Sequence, residues 1–375
     1  MNPVEIAKEL IKIDTRNPPG YTTKAVEFLE SLFSSYNTKI YAKEEGKENL
    51  VVEISKGKPT VMLTSHLDTV PCDEKLLNPV VINGKLYGRG SCDAKGCVAS
   101  ICYSALNLRD VDVGLKLAFT CDEEVGGFKG LGFVFPREKA DVVLIGEPTG
   151  SNCIGVLQAF VVSVDIYIKG ESGHTASQEA EYGAIYRASE YIVNRVRAFR
   201  DLRGNFKEYK EFFEKMGYEF VIKSWHSVFN PAIIQGGIKR NVVAPNCVIK
   251  ADIRFAPWIS IDEIKNLLED ECVERIDVVG FLKSYGVKFD EVELSKDLKV
   301  LKILRDIIKN MGKTPKAVFS LGVGDTRHVR KYGVPAFYIG PGGEGLHSDN
   351  EFVYISELYN AAKVYTEFIN ALESF

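Results

Sequence analysis

The chain has no Cys-x-x-Cys pair, no block of five or more like charges, and only five histidines and three glutamines. Each shortage excludes something. Eight cysteines, at 72, 92, 97, 102, 121, 153, 247 and 272, are too scattered for a paired zinc or redox motif. The first residues, Met1 to Glu9, lack the basic start and apolar run of a secretory signal. The cysteines are therefore expected to be reduced and mostly buried, and the protein to be cytoplasmic. No stretch approaches the ~18 apolar residues of a membrane span. A net charge of -4 over 375 residues carries no footprint for nucleic acid. Glutamine is scarce while lysine and glutamate abound, a balance that leans toward a heat-adapted protein.

Hydrophobic residues make up 45% of the chain, ample for a sizeable core, and its length suggests two domains. Asn2-Pro3 reads as a helix cap leading into Ile6, Leu10 and Ile11. A second helix is predicted from about Thr23 to Tyr36. Apolar runs at 50–54, 60–65, 116–120 and 141–145 read as buried strands, with a helix opening just after Asp93. Strands alternating with helices imply an α/β layer architecture whose ligands gather at the carboxyl ends of the strands. The middle differs in kind. Strand patterns at 160–169, 227–238, 247–255 and 275–288, with helices at 182–200 and 261–268, give the order β-α-β-β-α-β of a small α+β domain. The expected organisation is a discontinuous α/β domain, 1–158 and 291–375, with a mixed sheet flanked by helices. Residues 159–290 form the inserted domain.

Five short segments concentrate metal-ligand chemistry. In His66-Leu67-Asp68, His66 can bind a metal through one ring nitrogen while Asp68 fixes the other. Asp93 opens an apolar helix after Gly88 and Gly90, where an aspartate serves equally well as a cap. Asp122-Glu123-Glu124 places three carboxylates directly after an apolar strand. They repel one another unless a cation or proton intervenes; a solvated acidic turn is the bland alternative. Glu147 ends another apolar strand. His347 lies in a glycine-rich loop, 340–349. Two imidazoles with three carboxylates suit zinc, cobalt or manganese. A carboxylate bridging two ions ~3.5–4 Å apart is the arrangement of a two-metal hydrolase.

Taken together and in order, these segments resemble those of the M20 metallopeptidase family. That family includes acetylornithine deacetylase, succinyl-diaminopimelate desuccinylase, aminoacylase and glutamate carboxypeptidase. The resemblance covers essentially the whole chain. It implies two divalent ions, zinc first, then cobalt or manganese. His66, Asp93 and Glu147 would bind one ion and Asp93, Glu124 and His347 the other. Asp93 would bridge them, with a cis peptide at Asp93-Ala94. It also implies Glu123 as general base acting on a water between the ions, and Asp68 as its orienting partner. The inserted domain would mediate homodimerisation and carry His174 into the neighbouring subunit's site. Asn241 and Arg254 resemble the family's contacts to a substrate carboxylate; an Arg254 that merely pairs with an acid in its sheet is the plain alternative. Gly324 would offer a backbone contact.

Glu147, rather than aspartate, at the fourth ligand position resembles the deacylase, aminoacylase and carboxypeptidase branches. The resulting expectation is a metal-dependent deacylase of an N-acyl amino acid, of acetylornithine or succinyl-diaminopimelate type. Its partners would be a small N-acyl amino acid or short peptide and a second copy of itself, with neither nucleic acid nor membrane. The alternatives are a peptidase, or a hydrolase releasing lysine or ornithine from a carrier protein. From another class comes a non-enzymatic binding protein, which would be expected to have lost ligands or the base.

Overall fold

The computed structural model describes residues 1–109, 111–289 and 291–372, with no side-chain description at 292 and 293. Residues 373–375, at the end of the predicted 291–375 segment, and position 290 of the inserted one lie outside the described residues. A mixed sheet of nine strands forms the frame. Its order is 37–42, 48–55, 114–120, 60–66, 142–145, 336–338, 153–157, 316–319 and 219–222. Thr60–His66 runs parallel to both Gly114–Thr120 and Val142–Ile145, at the centre of the sheet.

The central strands are apolar on both faces because both faces are covered. Leu50, Val52, Leu63, Leu117 and Leu144 point into one core with the helices Pro3–Lys12, Lys95–Leu106 and Ile355–Leu372. Val51, Met62, Ala118, Val143 and Ile145 point the other way, against Leu131, Phe135 and Val329. Alternation along a strand produces this division. Lys95–Leu106 is buried nearly all round, packed between the other two helices and the sheet. The first helix starts as expected, with Asn2 and Glu5 forming a reciprocal cap and Pro3 in the first turn. All eight cysteines are free.

The middle of the chain builds an antiparallel sheet ordered 228–236, 246–255, 160–169 and 273–282. Its helices, Ala184–Asp201 and Ile261–Leu268, pack against each other, and the longer one lies on the sheet. One piece of this stretch departs from the 159–290 reading. Lys207–Lys215 and Glu219–Ile222 return to the large sheet, and Glu219–Ile222 pairs in parallel with Lys316–Phe319. The physical reason is apolar contact: Phe213 stacks on Phe220 at 5.4 Å, and Trp258 meets Phe319 at 4.6 Å. The charged residues that dominate 201–218 concealed this return.

Candidate active site

The carboxyl ends of three neighbouring parallel strands, the turn that precedes Lys95–Leu106 and a glycine-rich loop bring all five predicted ligands to one spot. His66 is the last residue of its strand, and Glu147 lies two residues beyond Val142–Ile145. Glu123 and Glu124 open a short 3-10 turn after Gly114–Thr120. His347 comes in on the 340–347 loop, with φ at 63°. His66 Nε2 lies 3.1 Å from Asp93 Oδ1 and 3.9 Å from Glu147 Oε1. His347 Nε2 lies 3.3 Å from Asp93 Oδ2 and 3.5 Å from Glu124 Oε2. Asp93 thus faces one imidazole with each oxygen. The Asp93-Ala94 peptide is cis, as the resemblance implied.

The donor set fits divalent metal ions. Glu124 Oε1 and Glu147 Oε1 are buried without any hydrogen-bond partner, which is costly unless a cation takes them. His66, Asp93 and Glu124 each offer a ligand atom within 4.8 Å of the other two. Burial pushes the Glu123 and Glu124 carboxyls up to about 7, with Asp93 close by adding to the rise. Burial opposes a charged His66, yet hydrogen bonds to Asp68 and Asp93 raise it well above its ordinary value. Asp93 moves the other way: its bonds from His347 and His66 outweigh burial and hold it low.

Asp68 does more than the sequence suggested. The closest contact of His66 Nδ1 is the Asp68 backbone oxygen at 2.9 Å, with the carboxylate at 3.6 Å. The fully buried carboxylate instead accepts the Glu123 N–H at 3.0 Å and the Glu124 N–H at 3.2 Å. It therefore holds the backbone of both glutamates. Gly324 lies where a Cβ would stand 2.7 Å from both Glu123 Oε1 and Tyr338 Oη, so any side chain there would push the Glu123 carboxylate or the tyrosine hydroxyl aside.

The remaining predicted residues sit apart. His174 is exposed in the ribbon Gly173–His174/Val242–Val243, with Asn241 Nδ2 3.5 Å from its Nε2. Arg254 Nε donates to Asp252 at 3.0 Å, the pairing weighed above as the plain alternative. Its Nη1 also reaches the Leu321 carbonyl at 3.5 Å. Among the described residues, no ion pair or hydrogen bond joins these three to the five ligands.

Several supporting residues escaped the sequence reading. Buried Glu351 accepts the Cys92 and Asp93 N–H groups, each at 3.0 Å, and pairs with buried Arg89 at 2.5 Å. Arg327 and His328 both donate to the Gly126 carbonyl and clamp the loop behind Glu124. Burial lowers His328 to about 4, so it is neutral there. The cation called for by the three consecutive carboxylates is present for one of them: Lys47 Nζ lies 2.5 Å from Asp122. Only Asp122 carried an advance signal, as part of the acidic run. The partners of the others are far away in sequence.

Comparison with known proteins gives the family. The family model described as "Peptidase family M20/M25/M40" matches residues 62–371. A [LysW]-lysine/[LysW]-ornithine hydrolase of Sulfurisphaera tokodaii is 27% identical, covering 98% of this chain and 94% of its own. An acetylornithine deacetylase of Myxococcus xanthus is 25% identical over 82% of this chain and 79% of its own. A solved Bacillus subtilis structure, titled a dinuclear metal binding peptidase from the M20 family, superposes with a TM-score of 0.66 at 14% identity. It covers 100% of this chain and 98% of its own. The chain belongs to peptidase family M20/M25/M40 and is a metallohydrolase acting on amide bonds.

Proposed function

We propose that the protein removes an N-acyl group from an amino acid, as an acetylornithine deacetylase or succinyl-diaminopimelate desuccinylase does, using two divalent ions per chain. The observation that carries the reading is Glu123: half-buried beside five convergent carboxylate and imidazole side chains, with its N–H fixed by Asp68. His66, Asp93 and Glu147 would hold one ion and Asp93, Glu124 and His347 the other, with zinc the first choice and cobalt or manganese next. Bound there, divalent ions supply Lewis acidity, lowering the pKa of water and polarising an amide carbonyl.

The chain's own residues supply the proton traffic. Glu123 takes a proton from the attacking water at a carboxylate oxygen and passes it to the leaving amine nitrogen. His174 of a second copy would donate to the carbonyl oxygen as charge gathers there. Arg254 and Asn241 would take a substrate carboxylate, for which a guanidinium fork is suited, and Gly324 a backbone contact. The homodimer reading draws support from the insert. Its edge strand Val228–Gly236 leaves Ile233 and Ile234 about half exposed, and the adjacent helix exposes Ile185, Tyr186 and Val193.

Glu147 at the fourth ligand position and the deacetylase relative support a deacylase. A second reading, release of lysine or ornithine from a carrier protein, is favoured by the hydrolase relative that matches 98% of this chain. Metal-loaded protein assayed against N-acetyl and N-succinyl diamino acids, dipeptides and a carrier-linked lysine separates the readings. Turnover confined to dipeptides would overturn both. Glu123→Gln is expected to keep bound metal and lose nearly all turnover; a metal-loaded mutant with wild-type activity would remove Glu123 from its role.

A further inference from the structure

Beneath the proposed general base lies a buried polar network of which the mechanism above uses only Asp68. Asn17 Nδ2 donates to Asp68 Oδ2 at 2.9 Å and to Asp122 Oδ1 at 3.0 Å, so one amide joins two carboxylates. Lys47 Nζ lies 2.5 Å from the same Asp122 oxygen and also donates to the Pro19 carbonyl. All four side chains are at least 94% buried. Asp68 and Asp122 are the two ends of this arrangement, and both act on the glutamates. Asp68 accepts their N–H groups, while Asp122 precedes Glu123 and turns the chain with φ 60° and ψ 22°. The Asp122 carbonyl then accepts the Val125 and Gly127 N–H groups, closing the turn that carries Glu123 and Glu124.

The charges explain why a lysine stands here. Two carboxylates bridged by one amide repel each other in a dry interior, and an unpaired buried charge is strongly unfavourable. Lys47 is the buried cation of the group; Lys129, partly exposed, reaches Asp122 Oδ2 only at 3.8 Å. A non-glycine residue in the left-handed region persists only when its surroundings fix it. Here Lys47 and Asn17 hold the Asp122 side chain while the turn's hydrogen bonds hold its backbone.

We propose that Lys47 is a positioning residue for the amide hydrolysis. Acting through Asp122 and Asn17, it fixes the start of the turn and so aims Glu123, and touches neither substrate nor metal. The inference rests on Glu123 as general base. Small displacements of a reacting group lose large factors in rate, about 100-fold for ~1 Å.

The test compares Lys47→Met, Lys47→Arg, Asp122→Asn and Lys47→Met/Asp122→Asn in the metal-loaded enzyme, with Glu123→Gln run alongside. Metal content, kcat and KM are measured for each. The expectation for Lys47→Met is a full metal complement, KM within about twofold and kcat down roughly 10- to 100-fold. Lys47→Arg should recover part of kcat. The double variant should lose no more than Asp122→Asn alone, because both act on one element. If Lys47→Met does not fold, Asn17→Ala takes its place with the same kcat and KM expectations. Wild-type kcat in the folded variant, a loss lying in KM or metal content, or independent losses that multiply in the double variant would overturn the proposal. An active Glu123→Gln would instead overturn the base assignment, a separate result.

Discussion

The carboxylates and imidazoles of the centre are held by groups that lie far from them in sequence. Glu351 is the clearest case: it accepts two peptide N–H groups of the Asp93 turn and neutralises buried Arg89. Glu351→Ala leaves Arg89 buried and unpaired, a loss of about 3–5 kcal/mol. A lowered melting temperature together with a lower metal content is expected; unchanged metal affinity would show that Asp93 holds its place without Glu351. Protonation adds a second expectation. Without metal, His66 and His347 are raised above the usual imidazole range and Glu124 sits at about 7. Protons occupy these sites at and below neutral pH, so metal must displace them and apparent affinity should fall as pH falls. Calorimetry in buffers of different ionisation enthalpy should register proton release on zinc binding; a buffer-independent heat would contradict it.

Elements differ in how plainly the sequence announced them. Thr60–His66, Gly114–Thr120 and Val142–Ile145 were legible because strands covered on both faces are continuous apolar runs. The residues following them drew notice because carboxylates and histidines at such strand ends have few structural uses. The short hairpin 80–82/85–87 and the strand 219–222 were not legible, since three or four residues carry no period and their pairing is set by distant partners. Asp68 shows the same limit within the site. His-x-Asp suggested contact with the ring, which the carboxylate keeps at 3.6 Å, but gave no sign that it also accepts the N–H groups of the turn at 123–124, beyond another strand. The helix after Asp93 depends on a close approach at Gly96, where a Cβ would lie 2.1 Å from the Ser91 carbonyl oxygen. Gly96→Ala should push the helix start away from the Asp93 turn. Metal binding is expected to weaken roughly tenfold or more, by analogy with loss of a supporting partner. A variant with wild-type affinity would show that the turn absorbs the shift.

At the scale of the whole molecule, the site is unequal in its parts. The larger unit brings the five proposed ligands and Glu123 together by itself, while His174 and Asn241 stand exposed on the insert. If a second copy completes the site, mixing His174→Ala chains with Glu123→Gln chains should restore activity, since one of the two sites in a mixed dimer then has both residues intact. Recovery toward about a quarter of wild-type turnover is expected for random pairing, where half the dimers are mixed and each has one working site. No recovery, with subunit exchange demonstrated, would place His174 outside the reaction.

The return of Glu219–Ile222 to the large sheet bears on how such a chain can be cut and rejoined. The polypeptide passes between the nine-stranded sheet and the insert's four-stranded sheet four times, near residues 158, 204, 225 and 284, rather than once out and once back. The insert is therefore not a cassette. Excising 159–290 in one piece would also remove the strand beside Lys316–Phe319, leaving a row of unpaired backbone groups at the rim of the catalytic sheet. A separable version of the smaller sheet would have to be spliced from two stretches, leaving residues 207–222 behind with the larger one.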